Sequence, residues 1–427
     1  MNPDRLVLPA VRWIGQRPLV SAALFRFASY DPFDPRRASW PYPVYDQMSG
    51  GRPVVHSRLF DEWTVFGHDE VLDVLRSPNV STSGVVTRLR ELAPYNRTSL
   101  RAMDNFARWL PFLDPPDHTR LRTSVSRTFT PKRIAGHEAR VRVIAHELLA
   151  DMDDDPEPDV IAGFASPFPV RVIADILGVP PHLFAWLHRT SSEIAGLLDI
   201  MRPFDPDSMS TRFAELHETF STLIDQRRRA PRDDLITALA TDPGGDLDDD
   251  DIVALIVVLM FAGHETTTGL LGSTLLALSR YPEQRAMLIE RPHLIDNAIE
   301  EFLRFDPPAQ IAVRTTTGPV TAGSVIIPAG ANVALMIGAA NRDARRWPDA
   351  DQLRIDRPDP RPISFGHGIH HCLGAALTRL EMRAAVPAFL DRFGAYTVDP
   401  ASLTWKQSNT LRGPTTMRVR RGHGGRA

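Results

Sequence analysis

Apolar and polar positions change rhythm three times along this chain. "RPVVHS" and "EWTVFG" alternate residue by residue, the period of paired strands, and "HDEVLDVLRSP" then takes up a helical spacing. From about 117 to 310 the helical period dominates. "AGFASPFPVRVIADILGVP" and "RFAELHETFSTLIDQRRR" are two of its segments, cut from their neighbours by Pro and Asp clusters. The longest helical segment runs from about Leu247 to Tyr281 and is opened by the acidic "GGDLDDDD", whose carboxylates suit a helix N-terminus. At 1.5 Å per residue it spans about 50 Å, about three times the average helix, so it should cross the whole domain. After 310 short strands return in "AVRTTT" and "VTAGSVIIPAGANVALMI", with Pro-Ala-Gly as a turn. A last helix, "LGAALTRLEMRAAVPAFLDRF", precedes a few closing strands.

The fold class expected is mainly α with small β-sheets, as one domain over residues 1–427. It has a Pro/Asp-rich lead-in over about 1–35 and a basic tail over about 418–427, "RVRRGHGGRA", expected to be disordered. Residues about 81–112 carry few structural signals and read as a long connection of the kind that lines binding sites. The apolar start, "LVLPAVRWIGQRPLVSAALF", is interrupted by Pro9, Arg12, Arg17 and Pro18, so neither a membrane span nor a secretory signal is expected there. A net charge of −3 gives no reason to expect nucleic acid or an anionic membrane as partner. A single cysteine excludes an intrachain disulfide and fits a reducing cytosol.

That cysteine, Cys372, stands in "FGHGIHHCLGAAL", between a glycine-rich loop and a helix start. A thiolate there is stabilised by the helix dipole and free N–H groups, and the glycines permit close approach of backbone to something flat. Four readings are open on these residues alone: a buried structural thiol, a zinc site with His367, His370 and His371, a catalytic cysteine, or a thiolate ligand of haem iron.

The fourth reading has company elsewhere in the chain. Phe365, Gly368, Cys372 and Gly374 stand at the spacing of the haem loop of the cytochrome P450 family, which this stretch resembles. Three further motifs occur in the order that family requires. Glu301 and Arg304 in "EEFLRF" are three apart on one helix face, and alone would read as a solvated surface pair. In the family such a pair is buried against an arginine of later coil, here Arg357 in "IDRP". "AGHETTT", with Ala262 and Gly263, resembles the oxygen-binding segment, and makes Glu265 and Thr266 its acid–alcohol pair. "DPPDHTRLR" resembles the segment entering a haem-contacting helix, with His118 and Arg122 four apart and able to face one propionate.

The resemblance covers essentially the full chain and implies a soluble bacterial-type member, with a long central helix over haem b. It implies Cys372 as axial ligand of the iron, O2 as co-substrate, and hydroxylation of a small apolar substrate. His118, Arg122, Arg314 and His370 are its candidates for the propionates. Glu265 and Thr266 would supply protons, with a local bulge near Gly263 making room for oxygen. His264 falls at a variable position and receives no role. By family position Val85, Val86, Met260, Ala262, Ile311 and Leu411 would line the substrate pocket. NAD(P)H electrons would come through a separate ferredoxin or flavodoxin with its reductase, since no dinucleotide fingerprint follows a strand. Arg120, Arg379 and Arg383 are candidates for a basic docking patch. A cytoplasmic monomer is expected. The alternatives are a non-catalytic haem binder or gas sensor, a peroxide-driven haem-thiolate enzyme, and a zinc hydrolase on the His/Cys cluster.

Overall fold

Apolar stripes on the helices meet around one long helix, and the sheets sit to one side of it. A computed structural model describes residues 36–57, 61–84, 86–87, 104, 106–127, 129–195, 206–242, 244, 247–408 and 410–422. The lead-in over 1–35, Val85 and the whole 88–103 connection lie outside the described residues. The helices that position the site are α1 (Asp117–Ser126), α2 (Glu138–Ala150), α3 (Pro167–Leu177), α4 (Phe184–Ala195), α5 (Pro206–Arg229), α6 (Asp249–Arg280), α7 (Ile295–Phe305) and α8 (Ala375–Phe393).

Helix α6 is the expected long segment. Its start is set by Asp248, whose side chain accepts from the Asp251 amide at 2.7 Å, with Asp249, Asp250 and Asp251 in the first turn. It packs against α3, α4 and α5 along its length and against α8. Among the described residues it is the one helix long and apolar enough to cross a membrane, and 83% of its apolar window is buried inside the protein. The bulge expected near Gly263 is absent, because the helix runs unbroken from Asp249 to Arg280.

The main sheet takes the order β1-β2-β7-β4-β3. Its strands are β1 (Val54–Ser57), β2 (Glu62–Val65), β3 (Val80–Ser81), β4 (Ala312–Thr316) and β7 (Asn332–Leu335), while β5 (Val320–Ala322) and β6 (Val325–Ile327) pair as a separate hairpin. β1 and β2 pair antiparallel as their alternation predicts, with Val54 opposite Val65. β2 then pairs parallel with β7, and β4 lies antiparallel to β7 with Arg314 opposite Val333. That register fixes Arg314 on an inner strand. The tail corrects its expectation in part: β11 (Val419–Arg421) pairs antiparallel with β8 (Tyr396–Val398), and Met417 and Val419 are buried. Burying those two side chains outweighs the charge of the neighbouring arginines.

Candidate active site

The cysteine loop is shaped by two left-handed glycines. Gly366 has φ +69° and Gly368 φ +72°, and a Cβ on Gly368 would sit 3.2 Å from the Leu75 carbonyl oxygen. The Cys372 amide donates to the Phe365 carbonyl at 2.8 Å and closes the loop. Arg379 stacks over the Phe365 ring at 4.6 Å. Burial pushes the Cys372 thiol above its ordinary range, opposed by the amides of Gly374 and Ala375 and by Arg122 and Arg379. The sulfur thus already faces two helix N-terminal amides and two cations, which is the setting a metal-bound thiolate requires. A Cβ on Gly374 would meet the sulfur at 3.9 Å, an ordinary van der Waals contact. The zinc reading is corrected, since no group of three or more His, Cys, Asp or Glu able to hold a metal occurs among the described residues. Instead of converging with Cys372, the His370 ring turns to His118.

Around that loop two arginines, Arg122 and Arg314, and two histidines, His118 and His370, gather without an ion-pair partner among the described residues. The His118 and His370 rings lie 4.4 Å apart, and the buried Nε2 of His118 has no hydrogen-bond partner among the described residues. Arg122 donates to the His371 carbonyl at 2.8 Å. Arg314 donates to the adjacent Val313 carbonyl and makes no ion pair among the described residues; burial brings its guanidinium down to about 10. His370 is lowered to about 4, by burial first and then by Arg314 and His118. Asp114 is the acid whose charge acts on Arg314 and both histidines, and its carboxylate accepts from Ser81, the Thr82 amide and hydroxyl, and the Ser83 amide. Buried cations and an orphaned imidazole need an anion with more than one oxygen. The two propionates of haem fit that need, beside a free thiol.

Helix α6 opens a window toward solvent halfway along. It is buried from Ile252 to Phe261 and from Thr267 to Leu278, yet Ala262 is exposed and Gly263 and Thr266 are partly so. These positions share one helix face. Thr266 Oγ1 donates back to the Ala262 carbonyl at 2.7 Å. Glu265 is buried and pairs with the ammonium of Lys406, and His264 Nδ1 lies 3.6 Å from its other oxygen. No hydrogen bond joins Glu265 to Thr266 among the described residues. Thr267, the next residue, donates to Glu381 of α8 at 3.2 Å, which ties the window to the helix that begins at the cysteine loop.

Glu301, Arg304 and Arg357 meet in the core instead of at the surface. Arg304 holds both Glu301 oxygens at 2.7 and 2.8 Å, and Arg357 Nε donates to both at 3.1 Å. Their remaining N–H groups go to carbonyls of Asn341, Pro348, Asp349, Ala350 and Gln352. The triad pins the coil that leads into the cysteine loop.

Of the pocket residues, Ile311 and Leu411 are partly exposed, Val86 is buried and Val85 lies outside the described residues. Met260 is corrected: it is 1% exposed and packed in the core, because two residues of helix turn it about 200° from Ala262. Leu259, at the border of burial, shares the Thr266 face instead. A cavity of about 730 Å³ lined by Trp109, Phe213, Val253 and Val257 lies on the other side of α6 and reaches none of the loop residues. Of the docking candidates, Arg120 pairs with Asp251, Arg379 with Glu300 and Arg383 with Asp296, and each stays partly exposed. Lys406 is the residue sequence reading missed. Gly269 and Gly413 were its only signal: a Cβ on Gly269 would collide with the Arg412 carbonyl, so glycine lets the C-terminal segment lie against α6.

The family description "Cytochrome P450" matches residues 63–411. The vitamin D(3) 25-hydroxylase of Pseudonocardia autotrophica is 37% identical over 391 residues, covering 90% of this chain and 94% of that protein. The 6-deoxyerythronolide B hydroxylase of Saccharopolyspora erythraea is 33% identical, covering 89% and 95%. Among solved structures, P450BioI in complex with an acyl carrier protein ligated to hexadec-9Z-enoic acid matches with a TM-score of 0.83 at 28% identity, covering 91% of this chain and 100% of that one.

Proposed function

This chain belongs to the cytochrome P450 family and is a haem-dependent monooxygenase, and from that premise we propose a role for each residue of its site in hydroxylating an apolar substrate. Cys372 ligates the iron. His118, Arg122, Arg314 and His370 hold the propionates. The observation that carries this assignment is the un-neutralised cluster beside the thiol, above all the orphaned Nε2 of buried His118.

When bound, haem with a thiolate ligand supplies the activation of O2, one atom of which enters the substrate while the other leaves as water. The protein's own part is ligand, protons and pocket. The amides of Gly374 and Ala375 stabilise negative charge on the sulfur. Thr266 spends its proton on the Ala262 carbonyl, so toward the window it presents an acceptor that can hold a water or a protonated group. Glu265 is the proton carrier. Its carboxylate rests on Lys406 and must turn from that ammonium to serve the Thr266 face. Ala262, Leu259, Ile311 and Leu411 give the substrate an apolar wall. The relatives' names differ in what they act on, so the substrate class is set no finer than a small apolar organic molecule. Electrons arrive from a ferredoxin or flavodoxin with its reductase, and the chain works as a cytoplasmic monomer.

The test is a stoichiometry with a surrogate ferredoxin, its reductase and labelled O2. One labelled oxygen per product and one NAD(P)H per turnover are expected. Equal turnover from peroxide without NAD(P)H would make it the peroxide-driven enzyme, and oxygen taken from water would overturn the monooxygenase reading.

A further inference from the structure

Glu265 is buried, so a carrier role obliges protons to reach it through other groups. On its Lys406 side the neighbour is an ammonium; on the other side lies a polar seam through an otherwise apolar interface of α3, α4 and α6. His264 is 1% exposed. Its Nδ1 lies 2.9 Å from Ser191 Oγ and 3.6 Å from Glu265 Oε1, and its Nε2 lies 3.3 Å from Ser166 Oγ. Ser166 Oγ lies 2.7 Å from His188 Nε2. His188 is half-buried on α4, next to exposed Arg189. Ile173, Leu187 and Ile194 are fully closed off in the same core.

The neighbouring carboxylate favours one direction for the hydrogens of this seam. An ionised Glu265 at 3.6 Å favours the tautomer with the proton on the nitrogen facing it, Nδ1, and that N–H donates to Ser191 Oγ at 2.9 Å. His264 Nε2 is then an acceptor and takes the Ser166 O–H. The Ser166 oxygen in turn accepts from His188 Nε2–H. The donors therefore run inward from the half-exposed imidazole to His264, whose Nδ1–H rests on Ser191 Oγ beside the acid. Burial, then His188 and Lys406, hold His264 well below its ordinary range, so it stays neutral and stores no charge. A buried imidazole with two matched serines in place of an apolar side chain costs desolvation that only a satisfied network offsets.

We propose that His188, Ser166 and His264 form a proton line from solvent to Glu265, an inference that rests on the reading of Glu265 as proton carrier. Water gives a proton to His188 Nδ1, and His188 releases the one on Nε2 to Ser166. Ser166 passes its own to His264 Nε2, and His264 releases the Nδ1 proton to Glu265 Oε1 once the carboxylate closes the 3.6 Å gap. One proton enters and one leaves, no bond between heavy atoms changes, and rotation of the hydroxyl and rings resets the line. His264 is a positioning and relay residue that touches no substrate.

The test is nitrogen NMR of histidine-labelled, haem-loaded protein in its diamagnetic reduced carbon monoxide form. The expected His264 tautomer is Nδ1–H, and its exchange with D2O should slow by at least about tenfold in Ser166→Ala and in the milder His188→Gln. The opposite tautomer, or an exchange rate unchanged in both variants, overturns the line. This readout needs no turnover, so it separates from Glu265→Gln, which tests the carrier reading by product formed per NAD(P)H.

Discussion

His370 reports whether its site is filled. Burial, Arg314 and His118 lower it to about 4 from an ordinary 6.5, so the folded chain keeps it neutral where the unfolded chain would bind a proton. Its contribution to stability is present above about pH 6.5 and is lost as pH falls through about 4. Thermal melts of the haem-free protein should therefore drop across that window, and His370→Gln should flatten the slope. Loading haem should flatten it as well, because propionates favour the protonated ring. A slope that ignores both changes would remove His370 from the propionate site. At the same scale, Thr266→Ala should keep haem and substrate binding while product per NAD(P)H falls roughly tenfold or more, the rest appearing as peroxide. Coupling that stays intact would end the proton role. Cys372, Glu265 and Thr266 were legible because each stands in a short local motif. Lys406 was not, since it reaches Glu265 from 141 residues away and only glycines at the crossing hint at the approach.

Helices and the coil between them are held by the buried triad more than by any surface pair. Arg357→Ala leaves the Glu301 carboxylate, 0% exposed, with one cation instead of two, and should cost about 3–5 kcal/mol in a denaturant melt. Arg383→Ala breaks an exposed pair with Asp296 and should cost under about 1 kcal/mol. Equal costs would mean the triad does not carry the coil. The same contrast bears on docking: because Asp296 already neutralises Arg383, its removal should change the KM for ferredoxin by less than about twofold. The long helix and its acidic start could be read from periodicity. The parallel pairing of β2 with β7 could not, because it joins strands some 270 residues apart and parallel register leaves no turn signal. The tail strand was hidden by its arginines, although buried Val419 is what pairs it.

For the whole molecule, the account joins a thiol at a helix start, two arginines and two histidines without an ion-pair partner among the described residues, and a window in the long helix into one haem site. It expects no NAD(P)H oxidation by this chain alone and saturable turnover once ferredoxin and reductase are added. Its central claim is that Cys372 is the iron's ligand. The direct measurement is the visible difference spectrum of dithionite-reduced protein with and without carbon monoxide, run beside Cys372→Ser. A strongly red-shifted Soret band in the native protein, lost in the serine variant, is the predicted result. A histidine-type band in fully haem-loaded native protein, unchanged by Cys372→Ser, would contradict it.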